Sequence, residues 1–310
     1  METRRIGSLD VSVVGLGCNN FGMRIDEDRA HAVVRAALDA GITMFDTADI
    51  YGGTRSEEFL GRALGARRDE AVIGTKFGGP IDDARPGGAS AAYIHRAVKD
   101  SLRRLGTDRI DLYQLHFPDD KVPLDETLGA LDELVRAGKV REIGCSNFSP
   151  ELIAQADDAS NARGIARFVS VQNEYSLLRR GPEKGVLDAC EKYDLAFIPY
   201  FPLASGVLTG KYRRGEEPPP ETRLATAPAE RVERALSERN FDKVEALQRW
   251  VADRGHSLLE LAMSWLLCRP RVTTVIAGAT RPEQVHANAA AAGWKLTQAE
   301  LDEIDQVLAI

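Results

Sequence analysis

The chain has 310 residues, 44% of them hydrophobic, enough for a large buried core. Forty basic residues against 47 acidic ones leave a formal net charge of −7. That balance argues against a protein whose main task is to grip nucleic acid or an anionic membrane surface.

The four cysteines, Cys18, Cys145, Cys190 and Cys268, are widely spaced and form no CxxC pair. Free thiols in a reducing cytosol are expected, with no disulfide scaffold and no metal site. The first residues, METRRIGSLD, lack the apolar core of a signal peptide. No run of about 18 apolar residues exists to span a bilayer. The expectation is a cytoplasmic protein, a monomer or weak homo-oligomer, acting on a small molecule.

Thr3–Ile6 and Val11–Val14, around Gly7-Ser8, read as a small hairpin. Eight strand candidates follow, beginning at Val13, Ile42, Ala71, Ile110, Val140, Phe168, Leu195 and Val272. Several are continuously apolar, as parallel strands covered on both faces are. Helical stripes fill the intervals. Ala30, Val33, Val34, Ala37 and Leu38 form one, closed by Gly41; Ile94, Val98, Leu102 and Leu105 form another, closed by Gly106. Leu124, Leu128, Leu131 and Val135 form a third, closed by Gly138.

Such alternation suits a closed barrel or a doubly wound open sheet. The dinucleotide fingerprint G-x-G-x-x-G fails, because Gly15 and Gly17 are followed by Asn20 at the third position. No G-x-x-x-x-G-K-[ST] loop occurs either. The fold class expected is α/β, a (β/α)8 TIM barrel forming one domain over residues 1–310. Extra helices, around Asp242–Arg254 and Leu258–Leu267, sit in the long connection between strands seven and eight, and a last one spans Gln298–Leu308.

In such a barrel the strand C-termini converge on one face, where active sites lie. Strand two leads into Asp46 and Tyr51, strand three ends at Lys76 and strand four at His116. A carbonyl that accepts hydride needs a proton donor beside its oxygen. Free tyrosine, with a pKa near ~10, is a reluctant acid, and a nearby ammonium makes its proton easier to give up. Asp46 would pair with Lys76, and His116 would donate a hydrogen bond that aims the carbonyl. The hydride itself must come from a cofactor.

The segments FDTADIYG, GTKFG, IDLYQLHFPD, LVRAGKVREIGCSNF, VQNEYSLL, GVLTGKY and IAGATRPEQV resemble the signature segments of the aldo-keto reductases. The resemblance runs in order from the N-terminal hairpin to about Ala292. It implies that Asp46, Tyr51, Lys76 and His116 form a catalytic tetrad with Tyr51 as general acid.

For the cofactor, NADPH/NADP+ with NADH possible, Ser146, Asn147 and Gln172 can hydrogen-bond a carboxamide and Tyr200 offers a ring face. The resemblance gives these residues the same roles. Cys18, Asn19, Phe201, Pro202, Leu203, Ser205, Gly206 and Gly278 are expected to line the same cradle. Lys211 and Arg223 would clamp the pyrophosphate, whereas Arg213 and Arg214 read as solvated surface.

Thr280 and Glu283 fit a capping box and Pro282 a first helical turn, which makes a helix N-terminus suited to phosphate. Thr280, Arg281, Gln284 and Asn288 would then surround an adenosine 2′-phosphate. Many relatives carry a basic residue where Gln284 stands, which leaves Arg281 as the main cation.

Asn19, Phe21, Tyr51, Phe77, His116 and Phe117 are expected near the substrate. The short Phe117–Pro123 loop and the end of the chain at Ile310, with no long tail to roof the pocket, point to an open site. That site would suit aldehydes, ketones, sugars or quinones. Two other readings compete. The later half also resembles the β subunits of voltage-gated potassium channels, cofactor-binding regulatory proteins in which the position of His116 is altered. A Schiff-base lyase using Lys76 is disfavoured, because a paired Asp46 keeps that lysine charged.

Overall fold

The computed structural model describes residues 1–309; Ile310 lies outside them. A hairpin of β1 (Thr3–Ile6) and β2 (Leu9–Ser12) comes first. Then follow β3 (Val14–Gly17), α1 (Glu27–Asp39), β4 (Met44–Asp46), α2 (Arg55–Leu64), β5 (Val72–Phe77) and α3 (Ala91–Leu105). The middle of the chain forms β6 (Ile110–Leu115), α4 (Leu124–Arg136), β7 (Val140–Ser146), α5 (Pro150–Arg163), β8 (Ser170–Glu174), α6 (Val186–Lys192) and β9 (Ala196–Tyr200). The last part holds α7 (Ala229–Ala235), α8 (Glu238–Ala252), α9 (Leu258–Leu267), β10 (Val275–Gly278), α10 (Pro282–Ala290) and α11 (Gln298–Leu308). Strands β3 to β10 pair in parallel and close on themselves, β10 lying between β9 and β3. This is the (β/α)8 barrel.

Most expected strand starts move by one to three residues, Ile42 to Met44 and Phe168 to Ser170 among them. The hairpin's second strand starts at Leu9 rather than Val11, because Gly7 (φ 56°) and Ser8 alone make the turn and set Leu9 opposite Ile6. The last strand starts at Val275 rather than Val272, because Val272 makes only an isolated bridge to Phe197 before regular pairing begins.

The period-two alternation of strand side chains divides the barrel into layers. At its N-terminal end Met44, Leu112, Ala196, Ile198 and Ile276 pack with Ile6, Leu9 and Val11 of the hairpin in one apolar cluster. The hairpin is therefore the plug of the barrel floor. Arg4 ties it down by donating to the carbonyls of Val272 (2.6 Å) and Leu267 (3.0 Å), and Glu142 accepts from the Ser8 amide (2.7 Å).

One step towards the C-terminal ends, the same inward-facing positions turn polar: Asp46, Lys76, Gln114, Ser146 and Gln172, every one buried. Outward-facing positions such as Phe45, Phe77, Tyr113 and Val171 join the larger cluster beneath the helices.

Helix α2 lies so close to the end of α3 that a Cβ on Gly61 would stand 2.3 Å from the Leu105 carbonyl oxygen. Backbone cannot yield there as a side chain would. Gly61→Ala should destabilise the fold by about 1–3 kcal/mol despite alanine's better helix propensity. Urea unfolding checks this, and a stability gain would contradict the close approach.

Candidate active site

A cavity of about 440 Å³ opens at the C-terminal end of the barrel. Its floor is made by the polar layer, and its best-defined contact is an ion pair. Lys76 Nζ donates to Asp46 Oδ2 at 2.6 Å and to the Thr47 carbonyl at 2.9 Å, and both charged side chains are buried. Gln172 Nε2 donates to the other oxygen of Asp46 at 2.9 Å, with Gln114 Nε2 at 3.4 Å, so the carboxylate is held from both sides.

Tyr51 arrives on the loop after β4, and Lys76 Nζ lies 5.3 Å from the centre of its ring. The loop is fixed by the approach of Gly52 (φ 60°) to the β3–α1 connection, where a Cβ would meet the Phe21 carbonyl at 2.3 Å. His116, at the end of β6, meets Tyr51 edge-on, ring centres 5.7 Å apart, and stacks on the half-exposed Phe117 at 4.4 Å.

Electrostatics sharpen the picture. Burial works against the charge on Lys76, but Asp46 and Tyr51 outweigh it and hold the ammonium's pKa above its ordinary value. Burial likewise pushes the Tyr51 phenol up. Lys76 pulls it down and Asp46 pushes it back, so the net direction is upward. The expected acidification of Tyr51 is thus present as a force but does not win. Burial, with Lys76 adding repulsion, drives His116 down to about 3, so its ring is neutral across the ordinary pH range. Its Nδ1 is buried and without a hydrogen-bond partner.

The opposite wall comes from β7 to β10. Asn147, at φ 62°, donates from its amide to the His116 carbonyl (2.9 Å) and to Ser146 Oγ (3.1 Å), and accepts from the Tyr200 hydroxyl at 2.8 Å. Ser146 Oγ donates to the Gln172 carbonyl at 2.7 Å. The cavity continues past Phe201, Pro202, Leu203, Ser205, Gly206, Lys211 and Arg223 to Gly278, Thr280, Gln284 and Asn288. Arg223 donates to Asn19 Oδ1 (2.8 Å) and Asn20 Oδ1 (2.9 Å) rather than to a carboxylate. Burial and the repulsion of Arg24 and Arg231 bring Arg223 down to about 10, and Lys211 is lowered by burial and by Arg24, Arg281 and Arg223.

Several expected residues sit elsewhere. Cys18, Phe21 and Phe77 do not line the cavity; all three are fully buried in the core under the helices. Phe77 follows Lys76 along one strand and so must face the other side, where it stacks on Tyr113 at 4.7 Å. Arg281 is largely exposed and lines an adjoining open cleft with Arg24, Arg29, Arg223 and Arg231. The capping box at Thr280 does not form. Arg281 is the N-cap, Pro282 occupies the first turn, and Gln284 Oε1 instead accepts from the amide (2.8 Å) and hydroxyl (3.2 Å) of Thr280. Arg214 is engaged with Glu238, Asp242 and Glu245 at the surface.

The sequence reading missed Asn20, Arg24, Ile50, Thr209 and Leu259, all of which line the cavity. Asn20 and Arg24 share a loop with Asn19 and were within reach of sequence reasoning; Leu259, on α9, carries no local signal.

Comparison with known proteins fits this geometry. A family model described as the aldo/keto reductase family matches residues 13–309. The chain belongs to the aldo/keto reductase family. The L-glyceraldehyde 3-phosphate reductase of Escherichia coli is 35% identical over 327 residues, 100% of this chain and 93% of that one. An uncharacterized oxidoreductase of Bacillus subtilis is 35% identical over 299 residues, 92% and 89% of the two chains. A probable voltage-gated potassium channel subunit beta of Oryza sativa is 33% identical over 322 residues, 99% and 97%. Aldo/keto reductases are oxidoreductases that use nicotinamide cofactors and act on small molecules. No helix among the described residues of this aldo/keto reductase is long and apolar enough to cross a membrane.

The depressed His116 pKa has a thermodynamic consequence. The unfolded chain, where histidine titrates near ~6.5, takes up the proton before the folded chain does. Stability conferred by the neutral ring is therefore complete above about pH 6.5 and is lost as pH falls towards about 3, by up to about 1.4 kcal/mol per pH unit. His116→Gln should flatten this slope. Urea midpoints at about pH 7 and about pH 5 measure it, and equal slopes would mean that His116 protonates freely in the fold.

Proposed function

We propose that this chain is an NADPH-dependent reductase of aldehydes and ketones, with Tyr51 as the proton donor. The observation that carries the reading is Lys76 Nζ, buried and bound to Asp46 at 2.6 Å beneath the ring of Tyr51. The cofactor fits the residues present. Lys211 and Arg223 are cations without carboxylate partners among the described residues, lowered by burial and then by their neighbours' charges, and an anionic group would relieve that repulsion. Arg281, Thr280, Gln284 and Asn288 extend the basic region to the N-terminus of α10, where free amides favour phosphate. Ser146, Asn147 and Gln172 supply amide and hydroxyl groups for a carboxamide, and Tyr200 supplies a ring face.

When bound, the nicotinamide would supply the hydride. The chain's residues do the rest. Neutral His116 donates one hydrogen bond that orients the substrate oxygen. As negative charge grows there, Tyr51 gives up its proton, and Lys76 offsets the charge left on the phenolate. Asp46 keeps Lys76 charged and in place, and Phe117 and Ile50 shield the reacting atoms at the mouth. Positioned acid catalysis of this kind contributes about 10²–10⁴-fold.

Tyr51→Phe should bind NADPH as the parent does and lose at least about 10²-fold in turnover. A panel of aldehydes and ketones, followed by loss of NADPH absorbance, is the assay; undiminished turnover would remove Tyr51 as the acid. For the cofactor, fluorescence titration should show NADPH binding more tightly than NADH, with Arg281→Ala narrowing the gap by about five- to tenfold. Equal affinities in the parent protein would contradict the phosphate assignment.

The relatives named as probable channel subunits suggest a second reading, a nicotinamide-binding regulatory subunit. His116 beside Tyr51 favours the enzyme, and failure of every carbonyl substrate under conditions of tight cofactor binding would favour the subunit.

A further inference from the structure

Behind the barrel wall, between β5, β6 and the helices α2 and α3, lies a second group of buried charges outside the cavity. Glu57 on α2 accepts from Arg104 Nε (2.6 Å) on α3 and from Thr75 Oγ1 (2.6 Å) on β5. Arg104 also donates from Nη2 to Ser101 Oγ at 3.3 Å. Asp49 belongs to the same loop as Asp46 and Tyr51, its amide donating to the Lys76 carbonyl at 3.1 Å. Its side chain is wholly buried, and neither carboxyl oxygen has a well-formed hydrogen bond among the described residues, the Ile50 amide alone lying close enough to favour the ionised form. The nearby hydroxyl of Tyr113, on β6, is also buried and unpartnered.

Counting charges decides the state of this carboxyl. Asp46 takes Lys76, and Glu57 takes Arg104, both as buried pairs within 2.6 Å. The groups that face Asp49 are then Glu57 from α2, Arg104 and Tyr93 from α3, Tyr113 from β6 and Lys76 from β5. Both cations are already committed, so an ionised Asp49 would be a buried charge without a cation of its own, which the chain avoids by keeping the proton.

We propose that Asp49 is a positioning residue that serves as an uncharged carboxylic acid, leaving Lys76 to act on Asp46 and Tyr51 alone. The burial of the carboxyl, reinforced by Glu57, places its titration at about 8. Loss of that proton adds a negative charge behind Lys76. It draws on the ammonium's field and disfavours the phenolate that Tyr51 must become when it donates its proton. Reduction therefore weakens as pH rises through this titration, well before Tyr51 itself ionises. The inference rests on Tyr51 as the acid.

The test is the pH profile of kcat/KM for reduction, read in the parent protein and in Asp49→Asn. The parent should fall by about tenfold between about pH 7 and about pH 9. Asp49→Asn should hold its turnover across that interval with NADPH affinity unchanged. A parent profile without this limb, or the same limb in both proteins, would overturn the proposal; a merely structural residue would lower the whole curve without moving it.

Infrared difference spectra of the parent protein provide a reading that needs no variant. A protonated-carboxyl band present at about pH 7 and lost by about pH 9 supports the proposal, and absence of that band overturns it. The two readings also separate from the acid assignment: inactive Tyr51→Phe with an unmoved limb in Asp49→Asn sinks only the role given to Asp49.

Discussion

An ammonium and a carboxylate 2.6 Å apart, both shut away from water, set the terms for the mouth of this barrel. Each ion costs several kcal/mol to desolvate, and the cost is offset only if geometry and further hydrogen bonds are good. Here they are. Gln172 and the Thr47 carbonyl complete the shells of Asp46 and Lys76, and the two residues come from neighbouring strands whose register is fixed by Asp46 opposite Gly74. A pair of this kind is poor evidence of stability, because apolar residues of equal volume would serve as well. Its value lies in what it aims at, the phenol above it.

The aim depends on the fold from floor to rim. The hairpin seals the apolar end of the barrel, which lets the next inward layer be polar without water entering from below. The loop carrying Tyr51 is pressed against the Phe21 carbonyl at Gly52, and the first turn of α2 holds it from the other side, the Ser56 amide donating to the Tyr51 carbonyl at 3.2 Å and Arg55 Nε to the Gly52 carbonyl at 2.8 Å. Burial still holds the phenol's pKa high. The same burial that makes Tyr51 a reluctant acid keeps His116 neutral, and a neutral imidazole is the form that can donate one hydrogen bond without adding charge beside Lys76.

Most of this was legible in the sequence because two periodicities carry it. Hydrophobic runs spaced by amphipathic stripes gave the strand order, and α9 and α11 lie where their apolar patterns end, at Leu267 and Leu308. The same period of two could have removed Phe77 from the cavity, since it follows Lys76 on one strand. Phe21 and Cys18 were harder, because irregular backbone has no period from which to read a facing. The capping box failed for a different reason. Pro282 in the first turn makes Arg281 the cap, which frees Thr280 to bond Gln284. Lone burial was invisible as well: nothing in the run DTADIY distinguishes the bonded Asp46 from the unpartnered Asp49.

The force of Lys76 on Tyr51 is the claim on which the proposed chemistry depends, and titrating the phenol reads it directly. Carbon-13 labelling of tyrosine, followed by NMR from neutral to alkaline pH, gives the Tyr51 ionisation in the parent protein and in Lys76→Met. The account predicts that Tyr51 ionises at clearly higher pH once the ammonium is gone. An unchanged titration would mean that Lys76 does not act on the phenol.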